Sequence, residues 1–342
     1  MAEPGALRDT LEIARALNSA RDYPALHARL SALTETDLHS EPELAFLLAD
    51  VSRRVGDRDR AAAILDRLHD EIRRRGNDRL FRNCLNLGGI IRFDRAQFQE
   101  AEHFWRHLLD AASEAGDEEF IARANNNLGI LCTLDGRREE ALACYARAVG
   151  AYQRLGHLRG LAQAHQNLAI AFREMGFFRE ADSHFQDAFA FARDDGSQDE
   201  MGRVEQERAL LLLLEGDVRL ARATARRALE RYQKLGDPSG IAEVERVLGL
   251  VALKQREFGP ADAHLNRALA GARSAHAALL EAEILEALAA LNELRNLPAA
   301  ARELRAQAER GFAGIRAGKW GQMARQRVLQ IANLTPREND HL

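Results

Sequence analysis

The chain has 342 residues, 46% of them hydrophobic and 6% aromatic, with a formal net charge of −4 and a pI near 6.3. That balance removes any bulk electrostatic case for nucleic acid, and seven prolines leave helix favoured throughout. The N-terminal MAEPGALRDT lacks a basic segment followed by an apolar run, so no signal peptide is expected. The longest purely apolar run, Ala209 to Leu214, falls far short of a membrane span. Cys84, Cys132 and Cys144 have the spacing of neither a disulfide framework nor a metal site, although Cys132 and Cys144 could face each other in one hairpin. A cytoplasmic protein without cofactor, membrane partner or nucleic-acid partner is expected.

The first block, 1–40, is irregular. Helices are expected near Ala6–Ser19 and Tyr23–Leu33, with Ala25 in the place of a later repeating alanine. Ser40-Glu41-Pro42-Glu43 reads as a capping box that opens the next helix. From there 41–320 reads as seven blocks of forty. One column runs Ala61, Ala101, Ala141, Ala181, Ala221, Ala261 and Ala301. Seven residues on, two helical turns along the same face, stand Leu68, Leu108, Ala148, Ala188, Ala228, Ala268 and Ala308. Small residues there let helices approach closely.

Upstream in each block a leucine is followed by a small residue, as in Leu128-Gly129, Leu168-Ala169 and Leu248-Gly249. Gly56, Gly136, Gly176 and Gly216 then stop a first helix, and Gly76, Gly116, Gly156, Gly196 and Gly236 stop a second. Each block is thus a helical hairpin, with a first helix of about thirteen residues and a second of about seventeen. In 81–120, Leu87-Gly88 comes one residue early and Gly89 reads as an insertion. The block 281–320 replaces its turn glycine with Asn296-Leu297-Pro298. Trp320 to Ala332 reads as an amphipathic helix over the apolar edge of the last hairpin, so that 321–342 is a cap with a frayed tail. In that tail, residues 334–338 (LTPRE) resemble the opening of a LuxR-type DNA-binding domain, but the chain stops too soon after them for such a domain to fold.

These columns resemble the tetratricopeptide repeat, over about 16–320. The match rests on Leu128-Gly129 with Ala141 and Tyr145, on Leu168-Ala169, Phe172, Ala181 and Phe185, and on Leu87-Gly88 with Ala101 and Trp105. The period of forty, the longer second helix and the missing proline after it are similar to the long-repeat variety of cell-polarity adaptors, kinesin light chains and many bacterial regulators. The block 201–240 departs most, with Arg208 at the leucine position and Ala225 at the aromatic one. The resemblance implies an all-α fold, a right-handed superhelical α-solenoid of about eight stacked antiparallel hairpins plus a C-terminal capping helix. It also implies that the first helices line a concave surface holding an extended peptide or a partner's helix.

Enzyme constellations are not evident. His103 and His107 lie four apart on one helix without a third ligand or an HExxH motif, and His184 and His264 share a repeat column. There is no GxxxxGK[ST], GxGxxG or GxSxG. The informative residues fall on the first helices. Asn86, Asn127 and Asn167 precede the leucine–small pairs, and in the resembling family asparagines there hydrogen-bond a peptide backbone. An amide offers both donor and acceptor to a peptide unit. One turn earlier stand Arg82, Arg123 and Gln163, then Arg203 and Glu243. Asn126, Gln166, Gln206 and Arg246 form a neighbouring column, and Arg173 lies further along its helix. Glu243, Glu283 and Glu286 turn the face acidic toward the C-terminus.

The expected function is a non-catalytic adaptor holding an extended, acidic segment of a partner protein. Its arginines would meet carboxylates and its asparagines the backbone. The alternative is a peptide- or ligand-responsive sensor whose superhelix changes shape to control an effector. Homo-oligomerisation is left open. Arg208, in place of a core leucine, is expected to pair with Glu205 or Glu207, or to be exposed by rotation of its helix.

Overall fold

The structure is a computed structural model that describes residues 4–20, 22–75, 78–315 and 317–334. Among them are eighteen helices and no strand. Helices α1 (Pro4–Ser19) and α2 (Tyr23–Ser31) form the first hairpin, and short α3 (Glu35–Ser40) leads into α4 (Pro42–Arg54) and α5 (Arg58–Arg75). Next come α6 (Asp78–Asp94) with α7 (Phe98–Ala115), α8 (Glu118–Leu134) with α9 (Arg138–Leu155), and α10 (Leu158–Glu174) with α11 (Phe178–Asp194). The last hairpins are α12 (Gln198–Glu215) with α13 (Val218–Leu235), α14 (Pro238–Lys254) with α15 (Phe258–Ser274), and α16 (Ala278–Leu294) with α17 (Pro298–Gly314). Helix α18 (Gly318–Ala332) follows. No helix among the described residues is long and apolar enough to cross a membrane.

The forty-residue columns are the packing. All seven alanines from Ala61 to Ala301 are at most 1% exposed. The small residue of each first helix sits under a side chain of the second: Gly129 under Tyr145, Gly249 under Leu265, Gly89 under Trp105. A Cβ at Gly129 would lie 2.5 Å from the Tyr145 ring, so glycine is what allows that crossing. This corrects the register of the block 81–120. Gly89, not Gly88, is the counterpart of Gly129, and α6 begins and ends forty residues before α8. Gly89 is therefore no insertion. In the true frame Asn86 aligns with Asn126, and Arg82 with Ala122, not with Arg123.

The turns repeat as strictly. Gly56, Gly136, Gly176 and Gly216 have φ between 70° and 94°, and Ala96, Arg256 and Asn296 hold the same left-handed position at 57°, 61° and 62°. In each turn the residue after it donates its N–H five residues back, as Asp57 to Ser52 O and Gln97 to Arg92 O. The first helices are longer than expected, 17 residues in α6, α8, α10, α14 and α16. Their opening turns hold polar residues such as Glu118 and Glu119, which suit a helix N-terminus but carry no apolar period. The Ser40–Glu43 capping box does not form. Ser40 Oγ donates to Thr36 O inside α3, and the box lies instead at Thr34 and Asp37, opening that helix. Gly76 and the tail from Thr335 lie outside the described residues.

The chain divides within α8 into two compact units, one through Ala124 and one from Asn125. The first unit is centred on Leu26, Leu30, Leu44 and Leu48, and on Leu65, Leu68, Ile72 and Ile91. In the second, the first helices α10, α12, α14 and α16 pack side by side as one row. Helix α18 closes on α17 and also crosses that row, packing on α16, α14 and α12. Val328, Ile331 and Ala332 join the core that holds Leu213, Leu250 and Leu253. At one end of α18, Lys319 Nζ donates to Asp135 O at 2.8 Å; at the other, Lys254 Nζ donates to Asn333 Oδ1 at 2.9 Å. Its role thus extends beyond a cap on the last hairpin.

Candidate functional site

In the first unit, Arg82 and Arg123 converge on one ring. Arg82 pairs with Asp117 at 3.0 Å, Arg123 with Glu119 at 2.5 Å, and each guanidinium lies 5.5 Å from the centre of the Phe120 ring. Asn86 is half-buried, and its backbone carbonyl accepts from Trp105 Nε1 at 3.3 Å.

In the second unit the amides partly form a ladder. Asn167 Nδ2 donates to Asn126 Oδ1 at 2.9 Å, joining one repeat to the next. Asn127, in register with Asn167, is half-buried like Asn126. Gln166 is buried. Gln163 Nε2 donates to Glu200 Oε1 at 2.6 Å, and Gln206 Nε2 to Glu207 Oε1 at 3.0 Å. Glu200, fully buried, also faces Arg203 at 3.6 Å and Arg159 at 3.4 Å.

The arginines of this face have carboxylate partners within the chain. Arg173 reaches Glu207 at 2.6 Å and Glu174 at 3.0 Å, and Arg246 reaches Glu283 at 3.4 Å. A buried guanidinium needs such a partner, and carboxylates from neighbouring first helices supply it. The third cation of the network comes from α18. Arg327 reaches Glu174 at 2.6 Å and Glu283 at 3.6 Å, while Trp320 Nε1 donates to Glu283 Oε1 at 2.7 Å and the Arg327 guanidinium lies 5.2 Å from the Trp320 ring. Three guanidiniums thus face three carboxylates: Arg173, Arg246 and Arg327 against Glu174, Glu207 and Glu283. Without α18 this floor carries an excess of negative charge.

Burial shifts the floor's carboxyls most. Burial pushes the Glu243 carboxyl up to about 7, and the charge of Glu207 adds to it. Burial pushes Glu286 up to about 7 as well, against the pull of Arg305. Burial alone would raise Glu207, but the Arg173 guanidinium wins and holds it below its ordinary value. Arg208 is paired with neither Glu205 nor Glu207. Its Nε donates to Asp182 Oδ1 on α11 at 2.7 Å. Glu205 is engaged by Arg227 and Arg231, and Glu207 by Arg173.

Two features were missed from sequence: α18 as an occupant of the inner row, and the gathering of His165, His184 and Asp187, whose ligand atoms lie within 4.8 Å of one another. The histidines could have been found by comparing position 165 with 125, 205 and 245, where other blocks carry acceptors. Cys84, Cys132 and Cys144 are buried free thiols.

The tetratricopeptide-repeat family model matches residues 80–154 and 120–194. No curated protein matches the chain by sequence. Among solved structures, a Rap protein complexed with competence and sporulation factor is 14% identical with a TM-score of 0.60, over 96% of this chain and 98% of that one. The Rap conjugation gene regulator of plasmid pLS20, in complex with the Phr* peptide, is 13% identical with a TM-score of 0.65, over 97% of each chain. The apo quorum sensor NprR from B. thuringiensis is 15% identical with a TM-score of 0.65, over 90% of this chain and 87% of that one. At such identities the likeness is one of fold.

Proposed function

We propose that this chain, a tetratricopeptide-repeat protein by its match over residues 80–194, is a non-catalytic binding module whose inner row, α10 to α16, takes a helical or extended segment of a protein partner. In the resting chain α18 takes that segment's place. The observation that carries this reading is the seat of α18 itself. An amphipathic helix lies across three first helices, α12, α14 and α16, and reaches Glu174 of α10 through Arg327, with Trp320 on Glu283 of the floor. A surface that accepts one such helix has the shape and charge to accept another.

The chemistry of the partner follows from the charge count. A replacement for α18 must return a cation to Glu174 and Glu283, so a segment with an arginine and an aromatic residue one or two turns apart fits the second unit. The paired Arg173, Arg203 and Arg246 shape this floor and balance its carboxylates. Asn126, Asn127, Asn167, Gln163, Gln166 and Gln206 are the amides that a partner's backbone would meet. In the first unit, Arg82, Arg123 and Asn86 are a separate candidate contact.

A sensor reading is favoured by the same seat, because any segment that occupies the row displaces α18 and moves the C-terminus with it. Two structures of this fold hold a factor or peptide, and a third is of a quorum sensor. They support a regulatory role without assigning one.

The test uses a fluorescent synthetic peptide of residues 318–334 and the full-length chain. Arg327→Glu places an anion against Glu174 and Glu283 and releases α18 from the row. The variant should bind the peptide at least about tenfold more tightly than wild type, because the tethered competitor is gone. Equal affinity for the two chains, or no binding to either folded chain, contradicts the reading.

A further inference from the structure

In three blocks the same three positions tie the second helix to the first. In 121–160, Arg147 Nε donates to Asn125 Oδ1 at 2.9 Å, and Arg147 Nη2 to Cys144 Sγ at 3.4 Å. In 201–240, Arg227 donates to Glu205 at 3.0 Å and to Thr224 at 3.2 Å. In 241–280, Arg267 reaches Glu245 at 3.0 Å with His264 beside it. Each lock is a guanidinium donor on the second helix meeting an acceptor on the first.

The block 161–200 breaks the pattern at two of the three positions. His165 replaces the acceptor and Asp187 stands where Arg147, Arg227 and Arg267 stand, while His184 holds the middle position as His264 does. The lock has lost its permanent donor, yet its atoms still converge. His165 Nδ1 lies 3.2 Å from His184 Nδ1 and 3.4 Å from Asp187 Oδ2, and His184 Nδ1 lies 4.0 Å from the same oxygen. Two imidazole nitrogens and a carboxylate oxygen point at one another.

We propose that His165, His184 and Asp187 bind a divalent transition-metal ion of the zinc class. Neighbouring donors of a tetrahedral ion with bonds of about 2.0–2.2 Å are about 3.3 Å apart, close to two of the three separations here. Imidazole with carboxylate suits zinc, cobalt, nickel and copper over magnesium or calcium. The rings are held in place: Phe172 stacks on His184 at 5.4 Å between centroids, and Phe191 leans on His165 at 5.4 Å.

Asp187 is 52% exposed on its side chain, which opens the remaining coordination positions to water. His165 Nε2 is buried without a hydrogen-bond partner, so no outer carboxylate or carbonyl reinforces that ligand. The site is therefore an exchangeable one. The ion would take the place of the arginine as the cation that ties α11 to α10. This inference uses none of the side chains that meet α18 and stands apart from that reading.

The probe is Co²⁺ alone, titrated into the full-length metal-free chain and followed by its visible d–d absorption, then displaced by Zn²⁺. Wild type should bind one Co²⁺ with tetrahedral-type bands. His184→Gln should weaken binding at least about tenfold. Asp187→Arg restores the lock of the other blocks, so it should abolish the bands while keeping the thermal midpoint of the metal-free chain. His103→Gln should change nothing. Bands that survive in Asp187→Arg, bands lost in His103→Gln, or no Co²⁺ bound by wild type would overturn the assignment.

Discussion

Arg208 occupies a position where the repeat asks for leucine, and it is stable there because Asp182 on the second helix of the preceding hairpin takes its charge. The same logic governs the inner row, where each buried guanidinium is answered by a carboxylate from a neighbouring helix. Glu286 is the opposite case. It is 3% exposed, Arg305 lies 3.8 Å away, and its carboxyl is pushed from 4.5 up to about 7. A carboxyl whose folded pKa lies above its unfolded one adds stability below about 4.5 and loses it as pH rises through about 7. Glu286→Gln should therefore gain on the order of 1–3 kcal/mol over wild type at pH 8 and almost nothing at pH 4.5, read from urea unfolding at the two values. A gain independent of pH would point to packing instead. Residue identity marked these positions as polar and inner. It could not pair them, because Glu207 is 34 residues from Arg173 and the choice among nearby carboxylates is made by side-chain reach.

The hairpin is the element that was most legible. Alanine and glycine columns name the crossing points, and turn glycines name the helix ends. Where the columns were broken the reading slipped. Leu87-Gly88 imitated the leucine–glycine pair one residue early, and only the Trp105 ring over Gly89 shows which glycine lies at the crossing. That slip carried Asn86 and Arg82 into the wrong columns. Helix starts were hidden too, since their first turns are polar and aperiodic. The turns themselves are fixed by geometry more than by residue type. Ala96 has φ 57° where four of its six counterparts are glycines. A left-handed alanine costs about 1 kcal/mol, so Ala96→Gly should stabilise the chain by about that amount in urea. Ala63→Gly, on an exposed position inside α5, should destabilise it by a similar amount. If both glycines destabilise, the strain assigned to this turn is absent.

At the scale of the whole chain, the forty-residue array predicts a row of first helices but says nothing of what lies on it. The seat of α18 depends on contacts such as Arg327 with Glu174 and Lys319 with Asp135, which are 153 and 184 residues apart. No periodicity reports separations of that size. The amphipathic pattern of 320–332 identified a helix in need of a surface, and the nearest surface in sequence was the last hairpin. The structure gives it the inner row as well, where its tryptophan and arginine complete a set of buried charges. On the proposed reading, occupancy of the row and displacement of α18 are one event. The direct measurement of that event is ¹⁹F NMR of the full-length chain labelled with 5-fluorotryptophan, which has two reporters, Trp105 and Trp320. On titration with unlabelled peptide 318–334, the Trp320 resonance should move to a solvent-exposed position while that of Trp105, packed over Gly89, stays where it is. A Trp320 resonance that does not move while the peptide is bound would show that α18 is a fixed part of the fold and that the row is not the binding face.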